Sequence, residues 1–344
     1  MMRLPSYTYR APKTVADAAS WLAESPDAML LAGGTDLIPN MKRRQQTPSV
    51  VIGLRAVSEL TMVGGVGGVG LTIGSGVTLT ALVHDARVRA HYPGLWQAVA
   101  QVATPHLRNM GTIGGNICLD TRCTYYDQTF EWRKSINFCM KKDGDTCWVA
   151  TSSDKCLAVS STDSAPALIA LGATVTLVSA TGTRELPLSD LYANDGMHYL
   201  TRRRNEILTS VHLPSTEGWR STYWKLRRRG SFDFPVAAVA AAARFEGDTI
   251  VEARLVLGAV ASRPLVVPVA AERLAGQSLS DELITAVADD AYALAKPMDN
   301  TDFELVWRKK VVRSLVTSAL RELRGDDMRE ARTKLARQPL IVVS

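Results

Sequence analysis

The five cysteines of this chain are the residues whose type and spacing most clearly suggest chemistry. They are Cys118, Cys123, Cys139, Cys147 and Cys156, and all lie in one polar, aromatic stretch. A secreted disulfide framework has an even number of cysteines spread along the chain, so this pattern does not fit one. Clustered thiols are typical of a site that binds a metal ion or an iron–sulfur cluster.

The cysteine spacing alone leaves three alternatives open: an iron–sulfur centre, a zinc site, and cysteines that are free or disulfide-bonded. Structural zinc sites favour pairs of cysteines separated by only two to four residues, and pairs with the commonest gap of two are absent. The wide, irregular spacing favours an iron–sulfur centre. Basic residues that would offset the negative charge of such a centre are Arg122, Arg133, Lys134, Lys141, Lys142 and Lys155.

Two glycine-rich loops, at 33–34 and 111–115, could hold a ligand that contains phosphate. The first follows a short apolar stretch at 29–31 and precedes Thr35 and Asp36, which are possible helix caps. Backbone N–H groups at such a strand–turn–helix junction bind anions, and glycine lets the backbone approach a diphosphate closely. The second loop predicts a second backbone cradle. For the first loop taken alone, a turn without a ligand remains the alternative.

A third glycine cluster, at 64–70, formally satisfies the G-x-G-x-x-G pattern of dinucleotide-binding folds. That pattern should follow a strand and open a helix, whereas residues 71–79 continue as a strand. We therefore predict a flexible hairpin here.

Catalytic signatures are absent from the sequence, which has no H-E-x-x-H, no G-x-S-x-G and no P-loop. The five histidines are scattered, and His106 has the best case for a role because it precedes the second glycine loop. Cofactor loops without substrate chemistry suggest the electron-transfer part of a larger enzyme.

Composition excludes several classes of protein. The chain is 46% apolar and 22% charged with a net charge of +6, which is ordinary for a globular protein. Basic triplets at 42–44, 202–204 and 227–229 are interpreted as solvated surface rather than a nucleic-acid footprint. The N-terminus has no secretory signal and no apolar run reaches the length of a membrane span, so we expect a cytoplasmic protein.

Periodicity and breaker residues predict a mixed order of helices and strands with a domain boundary near 215–221. Helices are predicted at 14–24, 80–90, 95–102, 265–275, 280–295 and 301–323. Strands are predicted at 173–179, 206–214, 222–228, 236–245 and 250–259. The charged residues 324–339 predict a frayed tail or a contact between subunits.

Three ordered motifs, at 31–37, 108–116 and 161–167, resemble the FAD subunit of the molybdenum hydroxylases, the family of xanthine dehydrogenase. The resemblance covers nearly the whole chain. It implies an α+β fold, with two FAD-binding subdomains of the vanillyl-alcohol-oxidase type at 1–217. A C-terminal domain with an antiparallel sheet and helices would follow at 218–325, and a charged tail at 326–344.

The resemblance also implies a set of FAD-binding residues. The pyrophosphate would be bound by Leu30, Leu31, Ala32, Gly33, Gly34, Thr35, Asp36 and Leu37. Further contacts would come from Thr78, His106, Asn109, Gly111, Thr112, Gly114, Gly115, Asn116, Asp120 and Leu208. Asp163 would bond the adenosine side of the cofactor, and Lys225 would approach the flavin ring.

Most members of the family join the second glycine loop to the third motif by a short connection, whereas residues 120–162 intervene here. This insertion resembles that of the beta subunit of 4-hydroxybenzoyl-CoA reductase, where it carries a [4Fe-4S] cluster. The resemblance implies Cys123, Cys139, Cys147 and Cys156 as ligands, and Cys118 as a buried or flavin-adjacent thiol. A periplasmic aldehyde oxidoreductase of the family also has a cluster-bearing insertion, with a less similar sequence.

The function implied is electron transfer through FAD and one [4Fe-4S] cluster. The partners would be a molybdenum-cofactor large subunit and a small [2Fe-2S] subunit, in a heterotrimer that dimerises to a heterohexamer, with an external electron donor such as ferredoxin. The reaction would be reductive dehydroxylation of an aromatic acyl-CoA. The alternatives are another molybdenum hydroxylase that oxidises aldehydes or N-heterocycles, a stand-alone flavin oxidase, and a zinc-stabilised interaction module.

Overall fold

A small parallel sheet forms the first subdomain of the computed structural model, which describes residues 3–230, 232–301 and 304–337. Its strand order is β1-β3-β2. The elements are β1 (Thr8–Arg10), α1 (Val15–Glu24), β2 (Met29–Leu31), α2 (Leu37–Lys42) and β3 (Val50–Gly53). The predicted helix at 14–24 is confirmed, and the Thr14 hydroxyl caps it by accepting the Asp17 N–H at 3.0 Å. Strand β2 leads the chain directly into the first glycine loop.

The second subdomain is built on a five-stranded antiparallel sheet of order β4-β5-β8-β6-β7. Its strands are β4 (Val63–Val66), β5 (Gly70–Gly74), β6 (Thr174–Ser179), β7 (Gly182–Pro187) and β8 (Ile207–Leu213). Its helices are α3 (Leu79–His84), α4 (Ala86–His91), α5 (Pro93–Ala100), α6 (Pro105–Arg108), α7 (Ile113–Ile117), α8 (Phe130–Ser135) and α9 (Ser164–Ala170). The predicted hairpin at 64–70 is confirmed, because Val66 pairs with Gly70 in an antiparallel ladder.

The C-terminal domain is a four-stranded antiparallel sheet of order β12-β11-β10-β9 covered by helices. Its strands are β9 (Trp219–Arg227), β10 (Pro235–Glu246), β11 (Thr249–Gly258) and β12 (Leu265–Val266). Its helices are α10 (Pro268–Leu274), α11 (Asp281–Leu294), α12 (Leu305–Arg324) and α13 (Arg329–Arg337). The three predicted strands and three predicted helices of this region are present, with bounds shifted by a few residues. The α+β class is therefore confirmed.

Strand β10 explains how the last two units pack together. Its alanine-rich core is buried on both faces, since alternate residues belong to two different hydrophobic clusters. Ala238, Ala240 and Ala242 face the second subdomain, whereas Ala237 and Val239 face the C-terminal helices. A strand covered on both sides has a continuous apolar sequence. Its small side chains let the second subdomain and the C-terminal helices both approach it closely.

The predicted frayed tail is wrong for residues 329–337, which form helix α13. The side chain of Arg332 holds this helix in place. Its guanidinium donates to the Glu322 carboxylate at 2.9 Å and lies 4.2 Å from the centre of the Trp224 ring. The remainder of the tail, 338–344, lies outside the described residues.

The insertion between the second glycine loop and α9 has little regular structure apart from α8, as its weak periodicity predicts. Both of its ends are fixed by the Asn116 side chain. The Asn116 Oδ1 accepts hydrogen bonds from the Thr162 hydroxyl at 3.0 Å and from the Ser164 hydroxyl at 2.6 Å. Asn300 ties the insertion to the C-terminal domain by donating to the Leu157 carbonyl at 2.6 Å.

No helix in the described part of the chain combines the length and the apolar character needed to cross a bilayer.

Arg308 gives a test of the C-terminal packing. Its guanidinium is fully buried and donates to the carbonyls of Val236, Met298 and Ala259 at 3.3, 2.8 and 2.7 Å. We expect Arg308→Met to lower the free energy of unfolding by about 2–4 kcal/mol, because buried carbonyls lose their donors. Arg313→Met, on the same helix but half-exposed, should cost less than about 1 kcal/mol. Urea denaturation of both variants measures the difference, and equal losses would contradict this role for Arg308.

Candidate functional site

A cavity of about 480 Å³ opens between the two N-terminal subdomains and a loop of the C-terminal domain. Its volume is within the range of small-molecule sites in proteins. The predicted residues that line it are Leu30, Leu31, Ala32, Gly33, Gly34, Thr35, Asp36, Leu37, Gly111, Thr112, Gly114, Gly115, Asn116, Asp120, Asp163 and Leu208. The structure therefore brings both glycine loops and the third motif to one cavity.

The two glycine loops are in direct backbone contact. A Cβ atom on Gly33 would lie 1.9 Å from the Met110 carbonyl oxygen, and one on Gly114 would lie 2.6 Å from the Ser75 Cβ. Real atoms do not approach this closely, so a side chain at Gly33 would push the two loops apart, and one at Gly114 would push the second loop away from Ser75, which follows β5. Glycine is required at both positions by this close packing, whatever ligand the cavity holds.

The backbone N–H groups of the two loops differ in what they bind. Within the described residues, the N–H groups of 33–36 have no protein acceptor. The second loop is different, because the N–H of Gly111 donates to the Leu107 carbonyl at 2.7 Å and that of Gly114 donates to the Ser75 carbonyl at 2.9 Å. The N–H of Gly115 donates to the Thr112 hydroxyl at 3.1 Å. Most amides of the predicted second cradle are therefore already occupied, whereas the first loop offers a run of consecutive free amides to an anion.

Asp36 occupies the cap position of α2 but does not cap it. Its carboxylate instead accepts hydrogen bonds from Arg122 of the insertion and from the Asn40 amide at 3.3 Å. Burial raises the pKa of Asp36, and the charge of Arg122 opposes that rise. The ion pair between Asp36 and Arg122 thus joins the first glycine loop to the insertion. Arg122 directly precedes Cys123 in the chain.

Asp163 and Lys225, predicted to contact opposite parts of the cofactor, are bonded to each other. The Lys225 ammonium lies 2.9 Å from the Asp163 carboxylate, which also accepts the Tyr223 hydroxyl at 2.7 Å. Burial raises the pKa of Asp163, and the ammonium of Lys225 opposes that rise. Asp163 lines the cavity but Lys225 does not, so separate roles at the two ends of one cofactor do not fit this geometry.

Three more of the predicted contacts do not line the cavity. The Thr78 hydroxyl caps α3 by accepting the Ala81 N–H at 3.2 Å. Asn109 is exposed and its side-chain oxygen accepts the Thr80 hydroxyl at 2.7 Å. His106 is exposed in the first turn of α6. Their contact with a cofactor stays a prediction.

Sequence reasoning missed several arginines of the cavity wall: Arg122, Arg202, Arg204 and Arg229. Arg202, Arg204 and Arg229 come from the triplets interpreted as solvated surface. Arg204 and Arg229 are indeed exposed, but all three also line the cavity. The sequence signal that could have identified these arginines was the number of basic residues in a chain whose loops suit a phosphate. Aromatic side chains on the same wall, also missed, are Tyr199, Phe232 and Phe234.

Four of the five cysteines are buried within the insertion. Cys123, Cys139, Cys147 and Cys156 are between 4% and 6% exposed. Three of them, Cys123, Cys139 and Cys156, pack with Tyr126 in one small cluster. Burial raises the pKa of Cys123 to about 12 and that of Cys156 to about 11. Because a metal centre needs thiolates, its binding would release these thiol protons.

A backbone donor reaches one of these sulfur atoms. The Ala158 N–H donates to the Cys156 Sγ at 3.4 Å, whereas the Tyr126 N–H donates to the Cys123 carbonyl at 2.9 Å. Such N–H···S bonds are a known means of stabilising iron–sulfur clusters. Among the described residues, no group of three or more metal-ligating side chains is arranged around a single metal ion. The four buried side chains are all thiols, which is a donor set that both iron–sulfur clusters and Zn²⁺ accept.

Cys118 is separate from the other four cysteines. It lines the cavity, and the Tyr199 hydroxyl donates to its backbone carbonyl at 3.2 Å. Burial raises the pKa of its thiol. That Cys118 contacts a cofactor stays a prediction.

Comparison with known proteins identifies both halves of the chain. A family model described as the FAD binding domain in molybdopterin dehydrogenase matches residues 5–216. A second, described as the CO dehydrogenase flavoprotein C-terminal domain, matches residues 221–323.

Relatives match over nearly their whole length. The chain is 31% identical over 329 residues to an aldehyde oxidoreductase FAD-binding subunit of Escherichia coli, covering 92% of this chain and 99% of the relative. It is 29% identical to the nicotine 6-hydroxylase medium subunit of Paenarthrobacter nicotinovorans, covering 84% and 87% of the two chains. The solved structure of a carbon monoxide dehydrogenase from Hydrogenophaga pseudoflava matches with a TM-score of 0.77 at 26% identity, covering 93% and 98%. The chain therefore belongs to the molybdenum hydroxylase family, as one of its FAD-binding medium subunits.

Proposed function

We propose that the cavity binds FAD with its pyrophosphate on the first glycine loop. The observation that carries this proposal is the set of N–H groups at 33–36 that have no acceptor among the described residues. Arg202 and Arg204 add positive charge to the same cavity wall. When bound, FAD supplies a centre that exchanges electrons, and the residues of this chain bind and orient it.

Gly33→Ala tests this placement. Its Cβ would overlap the Met110 carbonyl oxygen, so the loop must shift and the free amides lose their alignment. We expect FAD affinity to fall at least about tenfold, since ~1.4 kcal/mol suffices for that change. Gly64→Ala is the matched control, because nothing lies within 4 Å of its added Cβ.

The FAD-to-protein ratio after gel filtration, together with the melting temperature, measures both variants. Equal FAD retention by the Gly33 and Gly64 variants would contradict the placement. Loss of FAD from a Gly33 variant whose melting temperature equals that of the wild type would support the placement.

The proposed second cofactor is a [4Fe-4S] cluster held by Cys123, Cys139, Cys147 and Cys156. Its support is the burial of four thiols in one insertion, with a backbone N–H donor directed at one of them, Cys156. Such a cluster, when bound, supplies a one-electron centre beside the flavin cavity.

Serine substitutions separate the proposed ligands from Cys118. Cys139→Ser should lower iron and sulfide content strongly, because a serine oxygen is a poorer ligand than a thiolate. Cys118→Ser should leave both unchanged. Iron, sulfide and FAD are measured in anaerobically purified protein. Full iron content in the Cys139 variant, or iron loss in the Cys118 variant, would overturn the ligand assignment.

The proposed complex adds a molybdenum-cofactor large subunit, which carries the substrate reaction, and a small [2Fe-2S] subunit. Oxidation of an aldehyde or an N-heterocycle is the reaction best supported, since the relatives described above include an aldehyde oxidoreductase and a nicotine hydroxylase. None of those relatives is an acyl-CoA reductase. The reductive dehydroxylation expected from the insertion is thus the weaker candidate, supported only by the cysteine pattern.

Purification of the complex from its native source tests this assignment. Co-purification of a molybdenum protein, with aldehyde- or N-heterocycle-dependent reduction of an artificial electron acceptor, is the expected result. Activity confined to an aromatic acyl-CoA with a strong reductant would instead support the reductive reaction. Substrate turnover by the isolated chain would contradict both.

A further inference from the structure

A buried ion pair lies between the four-cysteine site and the flavin cavity. The Lys141 ammonium, on a side chain only 5% exposed, donates to the Asp120 carboxylate at 2.8 Å. It also donates to the Thr121 hydroxyl and the Gly196 carbonyl, each at 2.7 Å. All three of its hydrogens therefore have acceptors, which fixes the position of the charge.

Aromatic rings enclose this pair. The Lys141 ammonium lies 4.8 Å from the centre of the Tyr126 ring and 5.4 Å from that of Tyr199. The Tyr126 hydroxyl donates to the second carboxylate oxygen of Asp120 at 3.0 Å. Since Tyr126 is only 2% exposed, little water reaches the pair, and its charges are weakly screened.

The two ends of the pair face different sites. Lys141 lies two residues beyond Cys139, and the Tyr126 ring beneath it packs in the cysteine cluster. Lys141 does not line the cavity, whereas Asp120 and Tyr199 do. The positive end is thus on the cysteine side and the negative end on the cavity side.

We propose that the Lys141–Asp120 pair acts as a fixed dipole that sets the difference in reduction potential between the two centres. This inference rests on the proposed FAD and cluster. A positive charge favours the reduced, more negative state of the centre near it, so Lys141 raises the potential of the cluster. Asp120 lowers the potential of the flavin by the same rule. Both effects increase the cluster potential relative to the flavin potential.

The test compares Lys141→Met, Asp120→Asn and the double variant with wild-type protein. The double variant leaves no uncompensated buried charge and is the one most certain to fold. Lys142→Met is the matched control, because Lys142 is the next residue, also basic, with a side chain 31% exposed to solvent. Anaerobic redox titration follows the flavin by visible absorbance and the cluster by electron paramagnetic resonance. Iron and FAD contents are measured in every sample.

We expect Lys141→Met to make the cluster potential more negative and Asp120→Asn to make the flavin potential more positive. The cluster-minus-flavin difference therefore falls in both, falls furthest in the double variant, and stays near wild type in Lys142→Met. An unchanged difference in a double variant that retains iron and FAD would overturn the inference alone. Absence of iron from the wild type would remove the cluster proposal and this inference together.

Discussion

The carbonyl oxygen of the Asn116 side chain is the point on which the cysteine insertion depends. It accepts three hydrogen bonds, from the Thr162 hydroxyl and from the backbone and hydroxyl of Ser164. Asn116 lies four residues before the insertion begins at 120, and Thr162 and Ser164 lie at its end, so one side chain closes its base. Doubling the length of a closed loop costs only about 0.6 kcal/mol in entropy, which makes a long excursion tolerable once its ends are fixed. The same bonds position Asp163 at the start of α9.

Further contacts place the closed insertion against the flavin cavity rather than in solvent. Arg122 pairs with Asp36 of the first glycine loop, and its guanidinium lies 4.4 Å from the Phe234 ring. On another side, the buried Arg133 donates to the carbonyls of Arg43 and Arg44, at the end of α2. The cysteine site and the cavity thus share walls, and charges inside the insertion act on both.

Much of the fold was predictable because it rests on local patterns. Helical spacing with Thr14 as cap identified α1. A strand predicted directly after the glycines at 64–70 excluded a dinucleotide fold of the Rossmann kind, and that strand is β5, which ends at Gly74 rather than at residue 79. What the sequence could not predict depends on contacts between distant residues. The Asp163–Lys225 pair joins residues of different domains, and the second glycine loop uses its amides on Ser75 and Leu107. Nothing local distinguishes those amides from the free ones at 33–36.

The acidic side chains that line the cavity, within the described residues, are all paired with cations. Its acidic residues are Asp36, Asp120, Asp163 and Asp233. Each carboxylate is bonded to a cation: Asp36 to Arg122, Asp120 to Lys141, Asp163 to Lys225 and Asp233 to Arg229. A general base needs a lone pair that is free to take a proton from a substrate, and these carboxylates are committed to neighbours. Fixed and compensated charges suit a site that exchanges electrons, because the surroundings then need little rearrangement when charge moves. The paired carboxylates of the described cavity wall therefore support the proposed role of this chain in electron transfer.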